Sequence, residues 1–534
     1  MKGFFTLFCI LALCACASFS QPEYSLILSG GTVYSGEDAT PIVADIGIVD
    51  DRILAIGDLS ASQATTRLNV SGLAVTPGFI DIHSHAIRGS RTRSGLLNHP
   101  DAENYIRQGV TTAIGGPDGG SWWPISKLLG ELEAAPTSIN FGTFVGHNTI
   151  REEVLQRDNR APTAKELETM RNMVEQAMQE GAYGLSTGLK YMPGAFSETE
   201  EVIELARVAG TYGGIHISHM REEGLQLMDS VAETIRIGEE GNLPTQITHH
   251  KVVGHPMWGK SSESLAMVDA ARERGVDVSI DQYPYTASST GIDILLPAWS
   301  QAGDRETQLA RLADPEARAR IKTDVIANII NDRGGNDPAR VVLADCQWND
   351  SLNGKSLADI LHDRNIEKSI ENAAELVMEL AENGGCMTVF HAMSEVDVER
   401  IMQHPQTMIA SDGGIHVPGE GVPHPRNYGT FARIIELYVG EKATLPLHTA
   451  VYKMTAMPAD RIGLSNRGRL QVGAISDIAV FDPAVLKDNS TFENPHQYAS
   501  GMKHVFISGQ AVILDGSMTG ERPGKILRSS DNEN

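Results

Sequence analysis

The run "TAKELETMRNMVEQAMQEGAYGLSTGLK", residues 163–190, holds one complete repeat of the pattern that organises the middle of this chain. Thr163 followed three residues later by Glu166 is a capping-box signature and opens a helix. Leu167, Met170, Val174, Ala177 and Met178 fall on one helical face. Gly181 ends the helix, and the small-residue run "AYGLSTGLK" reads as a strand. The device then repeats. Ser197 and Glu200 open "SETEEVIELARVAG", and the strand "GIHISHM" follows. Further helices lead to "TQITHHK" and, through "SLAMVDAARERG", to "VDVSIDQYP".

Working outward, "GFIDIHSH", "GVTTAIGG" and "INFGTFVGH" precede this series and "TMIASDGG" follows it. That makes eight strand-then-helix units, the pattern of an α/β (β/α)8 TIM barrel. We place the barrel at residues 77–464, with an insertion at about 297–385 after the seventh strand. The stretch from about Pro297 to His391, most of it this insertion, holds two more strand-like runs, "RVVLADC" and "CMTVFH". Both ends of the chain are β-rich: residues 21–76, and residues 465–525 with "GRLQVGAISDIAVFDP" and "MKHVFISGQAVILDG". Two such ends flanking a different middle predict one small β-sandwich domain built from both termini. Residues 526–534 read as a loose tail.

The chain has 534 residues, enough for a large barrel plus a smaller unit. Asp and Glu number 68 against 44 Lys and Arg, a formal charge of −24. Such acidity argues against nucleic-acid binding. The first 20 residues, one Lys before an apolar stretch of signal length, predict export, to a periplasmic, secreted or lipoprotein state. The stretch is too short for a transmembrane span. Leu13-Cys14-Ala15-Cys16 resembles a lipoprotein cleavage box, which would put a lipid anchor on Cys16, and ordinary cleavage a few residues later is the alternative. Cys9, Cys14 and Cys16 lie in this leader. Cys346 and Cys386 cannot form a disulfide framework, so the fold is expected to rest on its core.

Polar, metal-competent residues close the strands: His83 and His85, Asp118, His147, Lys190, His219, His249 and Asp412. In a barrel those ends converge on one mouth, where active sites are built. His83 and His85 are two apart, so a strand presents both imidazoles on one face to a single metal ion. His216 and His250 stand close to His219 and His249, and spacing does not choose within either pair. Asp412 reads as a metal ligand and general base. Histidines with carboxylates suit zinc, without excluding iron, cobalt, nickel or manganese. His147, with Arg151, either lines the pocket or holds the strand-to-helix turn.

"TPGFIDIHSH", "TMIASDGG" and the split β domain resemble the amidohydrolase superfamily. "GAYGLSTGL", "SHMRE", "ITHHK", "YPYTA", "SDGGIHVPGEGVPHPRNYGTF" and "VYKMTAMPADRIGLSNRG" resemble, more narrowly, the D-aminoacylase (N-acyl-D-amino-acid deacylase) family. The resemblance implies a hydrolase of linear amides, cleaving N-acyl-D-amino acids or related dipeptides to a carboxylate and a free D-amino acid. It implies ligands His83, His85 and Asp412 for one metal, and His219 and His249 for the other. A metal-activated hydroxide would attack, with Asp412 taking the water proton and returning it to the leaving amine. Lys251, Tyr283 and Arg426 match the motifs that would bind the substrate carboxylate.

Two departures stand out. The family's cysteine after "GVTT" is absent, and Asp118 occupies that region. Where those members carry an acidic residue after "STGL", this chain has Lys190. The wider superfamily often carboxylates such a lysine to bridge two ions, so we expect two zinc ions bridged by carboxylated Lys190. The alternatives are that Lys190 points outward or binds the substrate carboxylate, while Asp118 bridges or one metal is held. Rival readings of the whole chain are a cyclic-amide hydrolase of dihydroorotase or hydantoinase type, and a non-catalytic exported binding protein.

Overall fold

The computed structural model describes residues 24–87 and 95–533; the leader and its three cysteines lie outside the described residues. Eight strands make the barrel: β1 (Phe79–Asp81), β2 (Val110–Gly115), β3 (Asn140–Thr143, resumed at Val145–Gly146), β4 (Gly184–Gly188), β5 (Ile215–His219), β6 (Thr245–Ile247), β7 (Val278–Gln282) and β8 (Thr407–Ile409). Neighbours run parallel in sequence order. β3 is interrupted at Phe144: its first half pairs with β2 and its second with β4. Closure between β8 and β1 comes from the Asp412 amide donating to the His83 carbonyl (3.0 Å) and the His85 amide donating to the Gly413 carbonyl (2.6 Å).

The strands are short and almost wholly buried, because helices pack against their outer side. The helix Ala164–Gln179 starts at the Thr163–Glu166 capping box and buries Met170, Val174, Ala177 and Met178. These side chains pack with Val145 and Leu185 of β3 and β4, a non-directional apolar contact of the kind that stabilises a core. Leu167 is only partly buried, at the rim of this cluster. The second capping box is not formed. The helix Thr199–Thr211 has Glu198 at its N-cap without a side-chain cap. Ser197 instead donates its hydroxyl to the Gly194 carbonyl (2.7 Å), a nearer partner in the preceding turn.

Between β7 and β8 the chain leaves the barrel and builds a unit with its own apolar core. Strands Val341–Asp345 and Met387–Phe390 lie where the sequence placed them. A third strand, Ser288–Gly291, pairs antiparallel with Met387–Phe390, so the excursion starts and ends outside the expected 297–385. Cys346 and Cys386 are joined in a disulfide inside this unit. They form a single staple rather than a framework.

The termini share one nine-stranded sheet. Ile478–Phe481 from the C-terminal part lies antiparallel to Ala74–Pro77 from the N-terminal part, and that pairing joins the two halves. The expected loose tail is docked at its start. The Leu527 amide donates to the Phe141 carbonyl (2.7 Å), and the Ser529 amide donates to the Gly181 carbonyl (3.1 Å). The Leu527 side chain is buried, which holds this segment on the barrel. Among the described residues no helix is long and apolar enough to cross a membrane.

Candidate active site

The strand ends meet as expected. Two groups of ligand-competent side chains form at the C-terminal mouth: His83, His85, Asp118 and Asp412, and Asp118, His219 and His249. Within each group the candidate ligand atoms lie within 4.8 Å of one another. Asp118 belongs to both. Its Oδ1 is 3.4 Å from His83 Nε2, 3.3 Å from His249 Nε2 and 3.8 Å from His219 Nδ1, while its Oδ2 is 3.4 Å from His85 Nε2. Asp412 Oδ1 is 3.1 Å from His85 Nε2 and 3.6 Å from His83 Nε2. Asp118, His249 and Asp412 all have left-handed backbones, with φ of 55°, 36° and 49°. Non-glycine residues adopt that conformation at a cost, and such strain gathers at functional sites.

The residues fit a metal on the structure's own terms. Both ring nitrogens of His83 and of His219, and Asp118 Oδ1, are buried with no hydrogen-bond partner among the described residues. Buried polar atoms are rarely left so, and a bound cation would complete one nitrogen of each ring and the carboxylate oxygen. Burial, with the neighbouring His249 charge, holds His219 well below the ordinary histidine value, so its imidazole is neutral as a ligand must be. Burial alone would raise Asp118, but the His83 and His249 charges hold it well below the usual carboxylate range.

Within the two ambiguous pairs the structure chooses His219 and His249. His216 bonds Thr187 (2.9 Å) and Thr245 (2.8 Å) between strands, and His250 bonds Ser264 (2.8 Å). Burial pulls both down to about 3, leaving them neutral core groups. His147 holds the strand-to-helix turn. It starts the helix His147–Leu155, and its Nε2 lies 2.8 Å from Glu201, which also takes Arg151.

Lys190 does not join the ligands. Its Nζ donates to Glu222 (2.6 Å) and Asp332 (3.1 Å), and neither ligand group includes it. Burial would lower its pKa, but the charges of Asp332 and Glu222 raise it above the ordinary lysine value. Carbamate formation needs a neutral amine, so two carboxylates on the ammonium work against it. Asp118 has the central place that the sequence reading gave to Lys190.

The mouth opens into a cavity of about 380 Å³ lined by His85, Asp118, His219, His249 and Asp412, and also by Lys251, Tyr283 and Arg426. Arg426 donates to Asp412 Oδ2 (2.7 Å) and stacks over the Tyr283 ring at 4.8 Å. The Tyr283 hydroxyl itself points to the Met393 sulfur (3.9 Å), so the ring rather than the hydroxyl supports the cation. Lys251 Nζ donates to Glu223 (2.6 Å) and lies 2.6 Å from His249 Nδ1.

Three residues escaped the sequence reading. Asp281, at the end of β7, accepts from the His249 backbone amide (2.7 Å), which fixes the chain at that ligand, and its carboxylate faces His83 Nδ1 at 3.7 Å. Glu223 lies 3.2 Å from His249 Nδ1, and Lys251 holds it well below the usual carboxylate range despite its burial. Arg333 reaches the cavity from the insertion. Asp281 ends a strand as the other site residues do, a signal that could have found it. Glu223 and Arg333 sit in charged runs that look like surface.

Residues 68–513 match the model of the amidohydrolase family. A D-aminoacylase from Alcaligenes xylosoxydans xylosoxydans is 37% identical over 96% of this chain and 98% of its own length. A solved D-aminoacylase, described by its binuclear metal centre, is 36% identical, with a TM-score of 0.79 over 95% of this chain and 100% of its own. An N-acyl-D-glutamate deacylase from Bordetella bronchiseptica was solved with zinc and a phosphonate mimic of the tetrahedral intermediate. It is 32% identical, with a TM-score of 0.80 over the same shares.

Proposed function

Since this chain belongs to the amidohydrolase family, we propose that it hydrolyses the amide bond of N-acyl-D-amino acids, releasing a carboxylate and a free D-amino acid. The observation that carries this reading is the pair of ligand groups joined at Asp118, opening on a cavity that also presents Lys251 and Arg426. His83, His85 and Asp412 would hold one ion, and His219 and His249 the other, with Asp118 shared. Zinc is the ion we assign, as imidazole and carboxylate ligands suit it. Bound metal supplies Lewis-acid polarisation of the amide carbonyl and a water acidified to a pKa of about 7.

The chain's own groups do the rest. Asp412, kept ionised by Arg426 against the effect of burial, is placed to take a proton from the attacking water and return it to the leaving nitrogen. Lys251 and Arg426 hold the substrate carboxylate, and the Tyr283 face fixes the guanidinium. Asp281 holds the backbone of His249 and sets a negative charge behind His83. The exported state is part of this proposal, and the Cys346–Cys386 disulfide supports it, since such bonds persist in oxidising compartments.

The test is turnover by the zinc-loaded protein of N-acetyl-D-leucine and N-acetyl-D-glutamate, against their L-enantiomers and against hydantoin and dihydroorotate. The reading expects hydrolysis of a D-substrate, with L-substrates and cyclic amides at least 100-fold slower, an order set by the ~2.7 kcal/mol that misplaced polar contacts cost. Preference for a cyclic amide, or no turnover at all, would overturn it.

A further inference from the structure

Arg333 follows the long insertion helix Pro315–Asn331 by two residues and lines the same cavity as His219, His249 and Lys251. Its side chain is only 2% exposed. Nη2 donates to Glu223 Oε2 (2.8 Å), whereas Nε and Nη1 are buried without a partner among the described residues. A buried guanidinium with unfilled donors is unfavourable unless something completes it.

The surrounding charges show what that would be. Glu223 serves two cations: Lys251 on Oε1 (2.6 Å) and Arg333 on Oε2 (2.8 Å). Asp332 is the other carboxylate that acts on Arg333, but its Oδ2 accepts from Lys190 (3.1 Å), so neither carboxylate fills the Nε and Nη1 donors of Arg333. Arg426, which lines the same cavity, has Nη1 on Asp412 (2.7 Å) and Nη2 on the Ser289 carbonyl (3.3 Å), so it comes to a substrate carboxylate partly engaged, whereas Nε and Nη1 of Arg333 have no partner among the described residues. The buried guanidinium N–H groups left unfilled on this wall are therefore those of Arg333.

Its position is also built. Asp332 is tied to Lys190 (3.1 Å), and Lys190 in turn to Glu222 (2.6 Å), so this ion network joins the turn after β4, the loop after β5 and the insertion. At Gly334 an added Cβ would meet the Ile329 carbonyl at 2.4 Å, so the turn that aims Arg333 needs a glycine.

We propose that Arg333 is a substrate-binding residue supplied by the insertion, receiving a substrate carboxylate on its open N–H groups, and that Lys190 is a positioning residue that holds its turn. This rests on the deacylase reading. The carboxylate has two sources: the α-carboxylate, shared with Lys251, or the side chain of an acidic D-residue.

The experiment measures kcat and KM on N-acetyl-D-leucine and N-acetyl-D-glutamate, and the Kd of the products D-leucine and D-glutamate, for zinc-loaded wild type, Arg333→Met and Arg333→Lys. Loss of a charge-assisted contact predicts KM and Kd raised about 10- to 100-fold in Arg333→Met, with kcat within about threefold and metal content unchanged. Arg333→Lys should recover part of the loss, and it decides the matter if the Met variant does not fold. Equal loss on both compounds assigns the α-carboxylate; loss on the glutamate compounds alone assigns the side chain. Unchanged KM and Kd on both overturn the proposal, as does a fall in kcat that only tracks lost zinc. Wild type that binds D-glutamate through Arg333 but hydrolyses neither acyl substrate would sink the deacylase reading and leave the carboxylate site standing.

Discussion

Replacing Lys190 with methionine separates an ion-pair tether from a carbamate ligand. Nζ lies 2.6 Å from Glu222 and 3.1 Å from Asp332. At an effective dielectric constant of about 20, those separations correspond to gross attractions of about 6 and 5 kcal/mol. Desolvation offsets most of that. The three side chains are 16%, 21% and 9% exposed, between the surface pairs that contribute little and the buried pairs whose disruption costs most. A net loss of about 2 kcal/mol is the reasonable figure, much of it from two carboxylates left facing each other. It should appear locally, since the Asp332 amide donates to the Asn328 carbonyl in the same turn. Hydrogen exchange of the segment around residues 328–335 should accelerate roughly 30-fold, the factor that ~2 kcal/mol implies for local opening. Metal content, measured on the same sample, should stay at the wild-type value. A variant with wild-type exchange and lost metal would refute this reasoning and restore Lys190 as a ligand.

The companion substitution is Asp118→Asn, which keeps the shape and removes the charge shared by both ligand groups. We expect metal affinity to fall by more than the roughly 10- to 100-fold typical of an outer-shell partner, seen as a lower metal-to-protein ratio after dialysis; an unchanged ratio would argue against a shared Asp118. Away from the site, Asp488 is buried, accepts from the Tyr285 hydroxyl (2.8 Å), and is pushed up to about 6 by burial. Its folded pKa thus exceeds the ordinary 3.8, so between pH 3.8 and about 6 the folded chain keeps a proton that the unfolded chain has lost. Wild type should therefore lose stability relative to Asp488→Asn as pH rises through that window, by at most roughly 3 kcal/mol. Parallel stability curves for the two proteins across pH 4–6 would contradict this.

Much of the fold was legible because it is written in short-range periodicity. The Thr163–Gly181 helix and its following strand carry cap, apolar stripe and stop signal in one run, and His83 and His85 are close enough for strand geometry to pair them. The strand Ser288–Gly291 was not legible. "SSTG" has no apolar alternation, and it is a strand because Met387–Phe390 supplies its partner. Choosing His219 over His216 was beyond spacing, since both are buried and differ only in what surrounds them. Lys190 shows the limit most clearly. Its place at a strand end was readable, but one of its two partners lies 142 residues away in the insertion. Glu223 and Arg333 were hidden the same way: "REEG" and "NDRGG" look solvated until the insertion folds them over the mouth.

Asp118, rather than a carboxylated Lys190, is proposed to stand between two metal ions. Anomalous diffraction at the zinc edge from zinc-loaded crystals tests it most directly. Two peaks are expected, one among His83, His85 and Asp412 and one beside His219 and His249, with Asp118 oxygens between them and a bare Lys190 amine against Glu222 and Asp332. Carbamate density on Lys190 joining the two peaks, or a single peak with Asp118 turned away, would contradict it.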